Sequence, residues 1–338
     1  MNPLASKSRS IFTGLFFAAL ASAPALALAA PSNIGSVVVL AENLQNPTTV
    51  ALRNGNAFVP EGRLAQIAAA PVKGGLFTVR EISLQGAGIL NSVILPGQDF
   101  FPEGISLDPV TNDLFVGSIF QGELVSIADG ASRTLRFANN VLQRGAVGTR
   151  VDANLGLLWV CDSNFGQGIA GGAVVGLDID DGSEVVRHEL PDGSFCNDIV
   201  IEADGDLLVA ESFVGQIFRI DANETLIDNS AQVFLQTAEL APPAAGQFGA
   251  NGLTIIDNVL FVANTGAGTL ARFDLNAADI AGSVQTVVLS EGNNANLVLS
   301  GPDGILGIND TQALVIENGF AGVGRQALLL ATFVDDGT

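Results

Sequence analysis

Four side chains stand out for what they could bind. Glu103, Asn197, Asn251 and Asp303 offer two carboxylates and two amide carbonyls, set in the short segments PEG, ND, NG and PDG. The set is all hard oxygen, with neither imidazole nor thiolate, which suits calcium or magnesium rather than copper, iron or zinc. It is also sparse, leaving positions for water or a substrate oxygen. The same residue types cap turns at strand starts, so a plain structural role stands beside the metal reading. Spacing favours a shared site: 94, 54 and 52 residues separate the four, with Arg150 midway across the first gap. All of them fall on a repeat of roughly 50 residues.

The strands carry the same repeat. FPEGISLDPVTNDLFVGS, GTRVDANLGLLWVCDS, FCNDIVIEADGDLLVAES, GANGLTIIDNVLFVANT and GPDGILGINDTQALVIEN each run from a polar or small residue through two apolar strands separated by an Asp/Asn/Gly turn. A weaker copy, NPTTVALRNGNAFVPEG, begins at Asn46. A third strand follows each copy (RLAQIAA, GELVSIAD, GAVVGLDID, GQIFRIDAN, GTLARFDLN and RQALLLATF), and a fourth such as EVVRHEL or VQTVVLS follows most. Four strands per repeat and six repeats predict an all-β, six-bladed β-propeller, with a seventh blade or paired sandwiches as alternatives. The last repeat lacks a fourth strand, while SVVVLAEN stands unpaired before the first. Ring closure by the N-terminal strand follows: 36–42 should pair with 326–333, which removes an open sheet edge.

In a propeller blade the start of the first strand and the end of the second share a face near the axis. Asn197, Glu211 and Ser212 therefore belong to one mouth of the channel, as do the long loops LPGQDF, SNFGQGIAGG and TAELAPPAAGQF. Asp162, Glu211, Asn264 and Glu317 end second strands and read as outer partners of the site or extra ligands. Arg150 takes the anchor position of the third repeat, either to hold an anionic substrate group or to pair with Asp152 or Asp162. Cys161 and Cys196 both fall at the mouth and form either a disulfide or two separate thiols. His188, the only histidine, sits in an outer strand as an exposed edge residue, which argues against a Ser-His-Asp triad. Trp159 reads as core.

Residues 1–29 have the layout of a secretory signal peptide: Lys7 and Arg9, an apolar run over 11–21, and small residues ending at Ala27-Leu28-Ala29. Residues 30–338 then form one propeller domain, exported to the periplasm or the medium. With 35 acidic against 14 basic residues and a net charge of −21, the chain repels nucleic acid and anionic lipid. No other apolar run is long enough for a spanning helix. An outer-membrane barrel would carry aromatic girdles, whereas this chain has no Tyr and one Trp. A small molecule is the partner that remains, and the oligomeric state is left open.

The ordered set Pro102-Glu103-Gly104, Asn197-Asp198, Asn251-Gly252 and Pro302-Asp303-Gly304 resembles the senescence marker protein (regucalcin) and gluconolactonase family of six-bladed propellers, through repeats covering the whole mature chain. The resemblance implies one divalent cation, calcium foremost, on Glu103, Asn197, Asn251 and Asp303, with Asp303 as acid/base in lactone hydrolysis. Two positions depart from the family: Ile199 follows Asn-Asp where Gly is usual, and Ile105 follows Glu-Gly where Pro is usual. The lack of mouth histidines separates the chain from the paraoxonases. The expectation is an exported metal-dependent lactonase or esterase. A strictosidine-synthase-like enzyme and a non-catalytic binding propeller with a structural metal stand as alternatives.

Overall fold

The computed structural model describes residues 31–63, 77–86, 88–97, 99–130, 135–138, 142–165, 170–222, 231–319 and 324–335. The segment at 1–29 expected to be a signal peptide, most of RLAQIAA and the centre of SNFGQGIAGG lie outside them. Six sheets stand around one axis. Five are four-stranded and follow chain order, over 51–94, 102–138, 145–189, 196–235 and 250–286. The sixth joins Pro302–Asn309, Gln312–Glu317 and Ala327–Asp335 to the N-terminal strand Pro31–Glu42. Apart from a 3-10 turn at Ala281–Ser283, the described residues are strands and their connections, and no helix among them is long and apolar enough to cross a membrane.

The sequence folds this way because each blade is covered on both faces by its neighbours. Second strands such as Leu157–Ser163 are buried at every position and so read as continuous apolar runs, whereas the outer strand Glu184–Glu189 is exposed at both ends. Turns at the face away from the mouth are tight. Asn54-Gly55 and Asp257-Asn258 both take positive φ at their two positions, the geometry of the two-residue hairpins that match strand twist. Asp152 caps its own turn by accepting the N–H groups of Asn154 and Leu155, each at 3.0 Å.

Ring closure is by the N-terminal strand, with Val38 opposite Leu330 and Glu42 opposite Ala327 in an antiparallel ladder. A second join lies at the axis, where Gly304 N–H donates to the Thr48 carbonyl at 2.8 Å. Two strand assignments need correction. The third strand of the first blade is Thr78–Ser83, which pairs Glu81 with Phe58, rather than RLAQIAA. VQTVVLS is divided: Gln285–Thr286 stays with the fifth blade, while Val288–Ser290 crosses to run parallel to the closing strand, giving the sixth sheet a fifth member.

Candidate functional site

Every inner strand carries the same irregularity at its mouth end. In the second blade Pro102 pairs with Ser118 and Ile105 with Val116, so Glu103-Gly104 form a β-bulge with one residue too many. The same shift places Val147-Gly148, Asn197-Asp198, Asn251-Gly252 and Asp303-Gly304 in bulges. Thr48-Thr49 occupies the equivalent stretch between the Pro47–Glu61 bridge and the Ala51–Phe58 pair. The bulges re-aim side chains toward the axis, where they line one cavity with space of ≈ 10 Å³ for the centre of a water-sized sphere. That is room for about one water or one small ion.

Glu103, Asn197, Asn251 and Asp303 are brought together there, all buried. The second bulge residue explains how the strands converge so closely. A Cβ on Gly104, Gly148 or Gly252 would collide with the carbonyl oxygen of Val147, Asn197 or Asp303 of the next blade. Two second positions are not glycine, Thr49 and Asp198; the Asp198 carboxylate reaches the fifth blade and accepts the Leu253 N–H at 3.1 Å as well as the Ile199 N–H at 2.8 Å. Asp198 lines the cavity too.

Three buried carboxylates therefore face one another. Burial, followed by the charges of Asp303 and Asp198, holds the Glu103 carboxyl well above its usual range. Asp303 is pushed up to about 8, chiefly by burial and further by Asp198, against the lowering pull of hydrogen bonds from Asn318 and Asn251. Asp198 is raised by burial and relieved mainly by Arg150. Arg150 is thus a correction to the sequence reading. The bulge register makes Val147 the anchor of the third blade, and Arg150 lies farther along the strand, donating from Nε to the Ile199 carbonyl at 3.0 Å and facing Asp198 rather than Asp152 or Asp162.

The groups that hold the cavity residues sit just beyond the second strands. Asn197 donates its Nδ2 to Ser212 Oγ at 2.8 Å, and Asn251 donates to Thr265 Oγ1 at 2.8 Å. Asn318 donates its Nδ2 to Asp303 Oδ2 at 2.7 Å. Ser212, Thr265 and Asn318 each also donate to a backbone carbonyl of the following blade: Ala250, Pro302 and Pro47. With both amide nitrogens committed, the Asn197 and Asn251 carbonyl oxygens are the atoms left to accept at the cavity. The donor set, which is carboxylates and amide oxygens around a small anionic hole with one guanidinium nearby, fits a hard divalent cation.

Asp162, Glu211, Asn264 and Glu317, expected as outer partners or ligands, are loop staples instead. Glu211 accepts the N–H groups of Phe195, Phe213 and Val214, and Glu317 accepts Ser300 N–H and pairs with Arg325. Asp162 accepts Arg144 N–H and is gripped by Arg187 at 2.7 Å, and Asn264 donates to the Glu239 and Ala241 carbonyls. Cys161 and Cys196 form a disulfide that ties the third blade to the fourth, next to Asn197. His188 lies on the outer strand but is buried beside Trp159, with ring centroids 6.1 Å apart, so the expected exposure is wrong. Burial lowers its pKa, partly countered by Asp221. A second acidic group, Glu202, Asp204 and Asp206, is already bridged by Arg219 at 2.8–2.9 Å.

No family model matches the chain, and no curated protein matches it. Many solved structures are similar. A putative gluconolactonase aligns at 12% identity over 92% of this chain and 96% of its own, with a TM-score of 0.61. A gluconolactonase from Xanthomonas campestris aligns at 13% identity over 93% of each chain (TM-score 0.58), and virginiamycin B lyase from Staphylococcus aureus at 13% over 89% of this chain and 99% of its own (TM-score 0.57). At such identities the likeness shows a shared propeller fold and no more.

Proposed function

We propose that the chain is an exported, divalent-metal-dependent hydrolase of lactones or related esters. The observation that carries this reading is the convergence of Glu103, Asn197, Asn251 and Asp303 on one buried cavity, with the Asn197 amide nitrogen held by Ser212 and the Asn251 amide nitrogen shared between Thr265 and Asp303. Those four residues would hold the ion, with calcium the first candidate from the all-oxygen donor set. When bound, it would supply Lewis-acid polarisation of a carbonyl. Asp303, fixed through one oxygen by Asn318, takes the proton from a water whose oxygen bonds to the carbonyl carbon. The ring or ester C–O bond then breaks, and the leaving oxygen receives that proton, so that one water and one lactone give one hydroxy acid. Arg150, held on the Ile199 carbonyl, places a positive charge near Asp198 and partly offsets the burial of that carboxyl beside this chemistry. The buried Cys161–Cys196 disulfide supports an oxidising compartment, in keeping with export by the segment at 1–29.

A second reading, a binding propeller with a structural cation, is favoured by how little space adjoins Asp303. Metal analysis of the purified protein, then a lactone and ester panel with and without chelator, separates the two. The expected result is bound calcium or magnesium and chelator-sensitive hydrolysis. Bound metal with no hydrolysis of any member leaves the structural role. Absence of divalent metal at saturating calcium overturns both.

A further inference from the structure

The mouth above the cavity is lopsided. From the first blade to the fifth, phenylalanines follow one another around it. Phe77 meets Phe101 with ring centroids 4.7 Å apart, Phe101 meets Phe120 at 4.9 Å, and Phe120 meets Phe165 at 5.6 Å. Phe165 meets Phe195 at 6.1 Å, and Phe195 meets Phe213 and Phe248 at 5.1 and 5.6 Å. Each ring lies on the same face as the cavity. Phe101, Phe195 and Phe248 precede Glu103, Asn197 and Asn251 by two or three residues, and Phe120, Phe165 and Phe213 follow the ends of second strands. Across the seam between the sixth and first blades the rim is polar instead, with Asn46, Gln326, Arg325 and Glu291 joined by hydrogen bonds.

The arc does more than fill a core. Phe120, Phe165 and Phe248 are partly exposed, Phe213 is 48% exposed and its neighbour Val214 is 51% exposed. That exposed apolar turn is held still: the buried Glu211 carboxylate accepts both the Phe213 and the Val214 N–H groups at 2.8 and 2.9 Å. Edge-to-face packing holds Phe120 and Phe165, and Phe248 stacks on Phe213 with ring centroids 5.7 Å apart, before anything binds. A rigid aromatic wall beside a small polar cavity matches a ligand with a polar head and an apolar limb, and offers no hydrogen bonds to a polyhydroxylated one.

Building on the hydrolase reading, we infer that Phe120, Phe165, Phe213 and Phe248 receive the apolar limb of the substrate, which is an alkyl- or aryl-substituted lactone or ester rather than a sugar lactone. The reaction is the same ring opening by one water, and the wall decides which molecule undergoes it. The test is a series of γ-lactones with side chains from hydrogen to hexyl, together with gluconolactone, assayed in calcium with the full-length mature protein. The specificity constant kcat/KM should rise about threefold to fourfold per buried methylene, and gluconolactone should fall at the bottom of the series. Phe213→Ala removes a half-exposed ring without emptying the core, and Val214→Ser is a second probe of the same turn. Both should flatten the slope of log kcat/KM against chain length. A series without slope, gluconolactone as the best member, or an unchanged slope in both variants overturns the inference. If no lactone is hydrolysed, the hydrolase reading fails by itself, and calorimetric binding of the same γ-lactones decides the wall separately. Affinity that grows with chain length and weakens in Phe213→Ala supports the wall, while chain-independent or absent binding overturns it.

Discussion

At the scale of single residues, chemistry and position are set by different neighbours. Glu103, Asn197, Asn251 and Asp303 are legible in the sequence because they recur at one point of a repeat. Asp198 is not, since alternation along a regular strand would turn it away, and only the bulge admits two consecutive residues to the cavity. Thr265 and Asn318 are hidden for another reason: they follow Asn264 and Glu317, whose polarity draws attention but whose side chains are spent on loop backbone. We expect Asp303→Asn to lower turnover by about a hundredfold to ten-thousandfold while weakening calcium binding less, because the amide keeps a carbonyl oxygen but cannot take a proton. Glu103→Gln should lose calcium first. Turnover by Asp303→Asn equal to the parent at saturating calcium would remove Asp303 as the base. The raised carboxyls also give a pH signature. Asp303 binds its proton more tightly in the folded, metal-free protein (about 8) than in the unfolded chain (3.8), so the stability this adds is complete below about pH 4 and is lost as pH rises towards 8. Glu103 and Asp198 shift in the same direction. Calcium needs the ionised forms, so the gap between melting temperatures with excess calcium and with chelator should widen from pH 5 to pH 8. A gap independent of pH would show that these carboxylates do not bind the ion.

At the scale of elements, the first two strands and the turn of each blade are readable because buried strands and tight turns have strong local signatures, as in LLWVCDS and Asn54-Gly55. Outer strands are harder. Gln285–Thr286 and Val288–Ser290 read as one strand, yet the chain changes partner between them, a matter of which edge lies nearer rather than of residue type. The bulges themselves leave only a faint mark, the Gly in second place, and its reason is contact between blades. In Gly252 an added Cβ would meet the Asp303 carbonyl, Gly304 Cα at 2.7 Å and Ile305 N at 2.8 Å, all backbone that cannot turn aside. Gly252→Ala should therefore cost about 1–3 kcal/mol in denaturant unfolding and displace Asp303 enough to weaken calcium. Gly86→Ala, where nothing lies within 4 Å, serves as the control and should stay within about 0.5 kcal/mol of the parent. Equal effects at the two positions would mean that the bulges do not set the spacing of the inner strands.

At the scale of the whole molecule, the missing strand at one end and the spare one at the other make closure legible, and closure bears on the cavity because the residues lining it come from different blades. Glu103 belongs to the second blade and Asp303 to the sixth, with the first blade between them. The link across it is short: Gly304 N–H donates to the Thr48 carbonyl, and Thr48 Oγ1 donates to the Glu103 carbonyl at 2.7 Å. Farther out, Leu44 N–H reaches the Gln326 carbonyl and Asn46 N–H reaches Gln326 Oε1, while the closing strand buries Val37 in a cluster with Leu289, Leu329 and Phe333. Loosening that outer edge should therefore be felt at the axis, although no residue of the closing strand lines the cavity. A chain starting at residue 43, compared with one starting at 31, should melt at lower temperature and show a smaller calcium-induced rise in melting temperature. Val37→Asp, which keeps the backbone ladder but places a charge in the buried cluster, should shift both quantities the same way. If either variant stays folded and melts lower yet keeps the full calcium effect, then the cavity is organised by its bulges alone and closure serves only to cover an edge.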